Sequence, residues 1–215
     1  FCTFCIVPFT RGRERSRSIS AIKYEINKAV KQGFVEITLL GQNVNSYYTP
    51  EGDFNYLLNE ISEIDGVNRI RYTSPHPQDF NDEILKTMSL NKNICNYIHL
   101  PLQSGSNSIL KSMNRTYSRE KFLDLVDKIY SYMPNCSIST DIIVGFPGET
   151  DSDFKDTLDI VKKARFNFSY MFKYSPRPGT KAVEFDNQIS ENIKQLRLEK
   201  LIAFGDVIKG ESNNI

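Results

Sequence analysis

Two cysteines, spaced as Cys2-Thr3-Phe4-Cys5, stand at the head of the chain, and a C-x2-C interval lets two thiolates reach one metal centre or cluster. On spacing alone the pair is open to zinc, iron–sulfur, redox chemistry or coincidence. A redox dithiol stands after a strand and opens a helix. Here Pro8, Gly12 and a string of arginines follow, which reads as a loop. Zinc needs two further ligands at matching spacing, and His76 and His99 are distant in sequence from the cysteines and from each other. Cys95 and Cys136 stand alone and read as small buried hydrophobes. Beside the pair, Arg11, Arg13, Arg15 and Arg17 recur at every second position, so an extended backbone projects them to one side. Their planar forks suit phosphate, so a nucleic-acid backbone is weighed here against a solvated loop or internal ion pairs.

These groups need a frame to position them. β-rich runs occur at 35–40, 69–73, 97–102, 138–144 and 168–174. Between them lie apolar stripes with the i, i+3, i+4, i+7 spacing of helices resting on a sheet. Ile22, Ile26, Ala29 and Val30 form one, started by Ser20 and stopped by Gly33; Phe54, Leu57, Leu58 and Ile61 form another, between Asp53 and Gly66. Two more, Phe122–Tyr130 and Phe154–Val161, follow the cap candidates Ser118 and Thr150. Strand starts recur about every 30–40 residues, the size of a βαβ unit, which implies parallel strands with right-handed crossovers. No Asn-Gly hairpin signal is present. The regularity predicts a further strand before Phe1 and hence a partial (β/α)6 TIM-like barrel, with a doubly wound sheet as the alternative.

In either arrangement ligands meet the loops after the strands. Those loops read Gly41-Gln42-Asn43-Val44-Asn45, Ser74-Pro75-His76-Pro77, Gln103-Ser104-Gly105-Ser106, Gly145-Phe146-Pro147-Gly148-Glu149 and Ser175-Pro176-Arg177-Pro178-Gly179-Thr180. Each is ordinary turn chemistry taken alone; five on one rim point to a shared site. One face of each strand is polar: Glu36 with Thr38, Arg69 with Arg71, Tyr97 with His99, Ser139 with Asp141, and Lys173. With helices covering the apolar faces, these charges are expected to line an open interior, pair there and meet a polar ligand, or else to form an internal ion-pair network without one.

Composition narrows the class. The 215 residues are 40% hydrophobic and 25% charged, enough for a sizeable core, and 27 basic against 26 acidic residues leave a net charge of +1. Disorder and fibrous classes are excluded, and bulk charge does not call for a nucleic acid. No apolar run approaches the ~18 residues of a membrane span. A soluble, cytoplasmic protein is expected. The start at Phe1 and the polar end from Glu211 to Ile215 read as a piece of a longer protein.

The residues at 1–17, 39–47, 99–105, 141–150 and 175–180 resemble the radical S-adenosylmethionine methylthiotransferases, and the resemblance covers nearly the whole chain. Gly-Gln-Asn-Val-Asn-Ser-Tyr at 41–47 favours the branch that acts on N(6)-dimethylallyladenosine at position 37 of tRNA, over siblings that modify a ribosomal protein or threonylcarbamoyladenosine. The resemblance implies the radical S-adenosylmethionine type of partial barrel, with its first strand missing here. It implies a [4Fe-4S] cluster held by a C-x3-C-x2-C motif, of which Cys2 and Cys5 are the second and third ligands. The first would fall three residues before Phe1. The open iron position takes the amino and carboxylate groups of S-adenosylmethionine, whose cleavage gives a radical that removes hydrogen from C2 of the adenine. Gly41, Gln42 and Asn43 would lie near the methionine amino group; Gln103, Ser104 and Arg115 near its carboxylate and ribose; Asp141, Val144, Gly145, Phe172 and Tyr174 near ribose and adenine. Arg11, Arg13, Arg15 and Arg17 are the candidates for RNA. No single catalytic side chain is implied. The domains implied are a core over 1–210 and, at 211–215, the start of a linker to an RNA-binding domain that this chain lacks. An amino-terminal domain with a second [4Fe-4S] cluster for sulfur delivery is likewise lacking. The partners expected are the tRNA anticodon stem-loop, an electron donor and a sulfur donor, with a monomeric enzyme and no membrane. The chain alone is expected to hold a cluster poorly and not to methylthiolate tRNA.

A purely binding module, with an arginine-rich tRNA surface and no radical chemistry, is the competing class.

Overall fold

Helix starts are fixed by side chains that accept the first free amide protons. Ser18 caps α2 (Ile19–Lys31), Asp53 caps α3 (Phe54–Ser62), Asn81 caps α4 (Asp82–Leu90), and Thr150 with Asp153 forms a reciprocal capping box on α7 (Asp151–Ala164). The computed structural model describes residues 2–212. In chain order the remaining elements are α1 (Val7–Arg11), β1 (Glu36–Leu39), β2 (Tyr48–Thr49), β3 (Gly52–Asp53), β4 (Arg69–Tyr72) and β5 (Tyr97–His99). They are followed by α5 (Asn107–Ser112), α6 (Arg119–Tyr132), β6 (Ser137–Val144), β7 (Phe168–Lys173) and α8 (Glu191–Ser212).

The chain divides into two compact units: one of 2–13, 101–126 and 138–212, the other of 14–100 and 127–137. In the second, β1 and β4 run parallel with Glu36 beside Arg69 and Thr38 beside Arg71, and the connection between them carries α3. Ile26 of α2, Leu58 and Ile61 of α3, Ile70 of β4 and Leu85 of α4 are all buried there. In the first, β6 and β7 run parallel across α7, with Asp141 beside Tyr170 and Ile143 beside Phe172. The core of this unit gathers Ile109, Met113, Phe146, Tyr174 and Ala182, with Phe4, Ile143 and Phe185 packed on it.

All five sequence-read strands are present, and both strand pairs described are parallel with a helical crossover. Four readings change. The segment after Cys5, read as a loop, contains the single helical turn of α1, which tolerates Pro8 because Pro stands in its first turn, where the missing N–H costs nothing. The cap of α2 is Ser18 rather than Ser20, whose N–H is taken by Glu51 Oε2 at 2.8 Å. A two-residue hairpin, β2–β3, turns through Pro50-Glu51 with no Asn-Gly; Thr49 Oγ1 accepts the Glu51 N–H at 3.2 Å and holds the turn. Finally, the polar carboxyl end is helical: α8 runs through Ser212, so Glu211 and Ser212 lie inside a helix, and 213–215, assigned to a linker, are outside the described residues.

The alternation of polar and apolar faces is as expected on β1, where Glu36 and Thr38 are exposed and Ile37 and Leu39 half-buried. Glu36 pairs with Arg71 at 2.9 Å and Arg69 at 3.7 Å, as the charge pattern required. On β7 the pattern is reversed. Phe168, Tyr170 and Phe172 are the exposed face, while Lys173 lies on the covered face and pairs with Glu191 of α8 at 2.6 Å. Lys173 therefore answers to α8 and does not share a face with Asp141.

Candidate functional site

The cysteine loop is built into the first unit by its backbone. Cys5 N–H donates to Cys2 O at 3.2 Å, closing a turn that puts both thiols on one short arc. Between them, Thr3 N–H donates to Met113 O at 3.1 Å, Thr3 Oγ1 to Ser112 O at 2.9 Å, and Ala182 N–H returns to Thr3 O at 3.0 Å. The Phe4 ring meets Phe146 edge-on at 6.2 Å, and Phe146 meets Tyr174 at 5.3 Å. Phe146 follows Val144, the last residue of β6, and Tyr174 follows the last residue of β7, so the thiols stand at the carboxyl ends of these parallel strands. Both thiols are half-buried and unbridged.

Arg115 joins the loop to the strand ends. Its Nη1 donates to Cys2 Sγ at 3.3 Å, its Nη2 to Pro101 O at 3.0 Å and its Nε to the Tyr117 hydroxyl at 2.9 Å. Tyr117, which sequence reasoning passed over, holds this fork in place: its hydroxyl donates toward Pro101 O and Leu102 O at 2.8 and 2.9 Å, and Arg115 lies over its ring at 4.9 Å. Burial, opposed by Arg115, pushes the Tyr117 phenol up to about 12, so it stays a neutral donor. Arg115 retains its charge: burial works against it, but Tyr117 and Cys2 outweigh that.

Gln103 has φ +70°, a left-handed conformation costing about 1–3 kcal/mol in a non-glycine residue. Its backbone stays tied to β6, donating to Asp141 O and accepting from Ile143 N–H, both at 2.8 Å. The turn is a strained corner placed beside the half-buried Asp141. Ser104 is fully buried, and its Oγ accepts the Ser106 N–H at 3.3 Å. Val144 is fully buried on the face away from Asp141, and offers its carbonyl to Tyr174 N–H at 2.8 Å. Phe172 is half exposed beside Ile143, two residues along from Asp141. Tyr174 is buried with its hydroxyl lacking a protein partner. At Gly145 the backbone turns left-handed with φ +70°. Cys2, Cys5, Gln103, Ser104, Arg115, Asp141, Val144, Gly145, Phe172 and Tyr174 thus belong to one unit.

Gly41, Gln42 and Asn43 belong to the other. Gly41 and Gln42 are exposed, and Asn43 donates from Nδ2 to Asp79 Oδ2 at 2.6 Å, leaving its buried Oδ1 without a partner. A side chain at Gly41 would press on Val44 at 3.2 Å. Arg11, Arg13, Arg15 and Arg17 are all exposed; Arg11 ends α1, and Arg17 pairs with Glu25 at 2.6 Å on the surface. Cys136 is buried as expected, its thiol pushed up to about 11 by desolvation, while Cys95 is half-buried. Among the described residues no group of three or more His, Cys, Asp and Glu side chains could hold a metal ion. The donor set is therefore a thiol pair. Two adjacent, part-exposed thiols on one turn fit two corners of an iron–sulfur cubane. Among the described residues, no helix is long and apolar enough to cross a membrane.

Residues 1–161 match the model of the Radical SAM superfamily. The chain is 49% identical, over 99% of its length, to a tRNA-2-methylthio-N(6)-dimethylallyladenosine synthase of Pelotomaculum thermopropionicum. It is 53% identical, over 94% of its length, to the protein of that name from Fusobacterium nucleatum. It spans 48% and 47% of these relatives, about half their length. Among solved structures, the radical S-adenosylmethionine methyltransferase TsrM from Kitasatospora setae superposes with TM-score 0.70 over 85% of this chain and 36% of that one, at 17% identity. Coproporphyrinogen III oxidase from Escherichia coli, described as a radical SAM enzyme, does so with TM-score 0.62 over 96% and 50%, also at 17% identity. The fold of parallel strands and helices is thus that of radical SAM enzymes, its cysteine turn lies at the strand ends, and three quarters of its length fit the family model: the chain belongs to the Radical SAM superfamily.

Proposed function

We propose that this chain is the radical core of a tRNA-2-methylthio-N(6)-dimethylallyladenosine synthase, adding a methylthio group to C2 of the modified adenine at position 37 in the tRNA anticodon stem-loop. The observation that carries the reading is identity near one half, across nearly the whole chain, to proteins of that name. The thiol pair at the carboxyl ends of β6 and β7 is consistent with it.

Cys2 and Cys5 would hold two corners of a [4Fe-4S] cluster. When bound, the cluster and S-adenosylmethionine supply the one-electron cleavage that abstracts hydrogen from the adenine. The chain's own residues position and shield. Arg115 orients Cys2 and keeps a fixed positive charge beside it, suited to the methionine carboxylate; Gln103 and Ser104 shape the adjoining turn. Asp141 and Phe172 share the open face of β6 and β7, where a carboxylate can accept from ribose hydroxyls and a ring can lie against adenine. Gly145 and Tyr174 follow directly on the ends of β6 and β7, and the carbonyl of Val144 is already engaged. Gly41, Gln42 and Asn43, in the other unit, remain the residues that the resemblance assigns to the methionine amine. Arg11, Arg13, Arg15 and Arg17 meet the RNA backbone. A second cluster for sulfur delivery lies elsewhere in the full-length enzyme, which works as a cytoplasmic monomer.

Mass spectrometry of tRNA nucleosides tests this. A strain lacking the gene is expected to lose the 2-methylthio group from N(6)-dimethylallyladenosine at position 37. The full-length gene should restore it, and its Cys2→Ala or Cys5→Ala form should not. Persistence of the group in the deletion strain removes the assignment; loss of a methylthio group from threonylcarbamoyladenosine or a ribosomal protein moves it to a sibling substrate.

A further inference from the structure

Arg197 lies on α8, beyond the residues matched by the superfamily model, yet it is only 6% exposed. Its Nη1 donates to Glu149 Oε1 at 2.9 Å and to Glu149 O at 3.0 Å, and its Nη2 donates to Asp151 Oδ1 at 2.8 Å. Glu149 is 3% exposed, and the oxygen that faces Arg197 also accepts the Gly145 N–H at 2.9 Å. One turn earlier on α8, Lys194 packs so closely on Gly145 that a Cβ there would stand 2.4 Å from its Cγ. A guanidinium, a carboxylate and a left-handed peptide thus form one continuous contact from α8 to the end of β6.

Stability alone does not account for this device. Apolar residues of similar volume commonly stabilise a core as well as a buried ion pair does. Here the pair leaves Glu149 Oε2 and Arg197 Nε without protein partners. The pair does hold in place the oxygen that accepts the Gly145 N–H. We propose that Arg197 is a positioning residue for the nucleoside site: through Glu149 it fixes the Gly145 peptide, so α8 sets how tightly the chain binds an S-adenosyl nucleoside. The proposal rests on the function proposed above and extends it to an element outside the superfamily match.

The test is calorimetric binding of S-adenosylhomocysteine to the anaerobically reconstituted full-length protein. Arg197→Leu is expected to weaken binding about tenfold, while Arg197→Lys, which keeps a cation against Glu149, stays within about threefold of wild type. Lys155→Ala, at an exposed position on α7, serves as the control and should not move it. If Arg197→Leu does not fold, Glu149→Ala removes the oxygen that accepts the Gly145 N–H and is expected to show the same loss. Wild-type affinity in Arg197→Leu or in Glu149→Ala, whatever the change in melting temperature, overturns the positioning role. A wild-type protein that fails to bind the nucleoside overturns instead the function on which it rests, and the proposal with it.

Discussion

Charged groups inside this chain are held by named partners, and their chemistry sets measurable pH behaviour. Burial pushes the Glu149 carboxyl up to about 7, against the pull of the Gly145 N–H and Arg197. The folded chain therefore keeps a proton that the unfolded chain releases near 4.5, so this group's contribution to stability is complete below 4.5 and is lost as pH rises toward 7. Glu149→Gln should flatten that part of the curve; melting temperatures by circular dichroism across this range check it, and parallel curves for both proteins would refute it. Arg197→Leu leaves Glu149 Oε1 and Glu149 O without their guanidinium donor and should cost about 1–3 kcal/mol in denaturant unfolding. A cost under ~1 kcal/mol would mean that the pair is dispensable for folding. The cysteine pair was legible in the sequence because its spacing is local. The strand-end loops were legible as one rim, but the roles of Gln103, Ser104 and Arg115 came only through resemblance, and Tyr117 not at all, because its task is to hold Arg115 and two backbone carbonyls after the chain has folded back on itself.

At the scale of elements, turns and caps decide where side chains arrive. Gly105 is packed so that a Cβ would lie 2.5 Å from Thr157 Cα, a backbone atom of α7 that cannot swing aside. Gly105→Ala is expected to destabilise by about 1–3 kcal/mol or more through overpacking, read as a lowered denaturant midpoint. An unchanged midpoint would show that α7 can shift freely. The cap of α7 reports at acid pH. Burial acts to raise Asp153, but hydrogen bonds from Ser106, Thr150 and Ser108 outweigh it and hold the carboxyl at about 2. Its stabilisation is present above 3.8 and lost as pH falls toward 2. Asp153→Asn should therefore shrink the wild-type advantage as acid is added, and a constant difference down to pH 2 would contradict the cap. The strands and four of the helices followed from periodicity and turn residues. α4 and α8 escaped for physical reasons: α4 buries Thr87 beside Ile84, Leu85 and Met88, and α8 buries Lys194 and Arg197, so neither carries an unbroken apolar stripe. The reversal on β7 escaped for the same reason, since Lys173 finds its partner on α8, far along the chain.

At the scale of the molecule, the chain is about half of the relatives it matches, and its fold is that of the Radical SAM superfamily. Everything proposed about chemistry passes through Cys2 and Cys5, the two cysteines that share one turn. Low-temperature electron paramagnetic resonance of the reduced, reconstituted full-length protein, with and without S-adenosylmethionine, addresses this most directly. The account predicts a [4Fe-4S] signal whose shape changes when the nucleoside is added, with that change abolished in Cys2→Ala and Cys5→Ala and kept in Cys95→Ala and Cys136→Ala. A nucleoside-sensitive signal that survives the loss of Cys2 or Cys5 would contradict it.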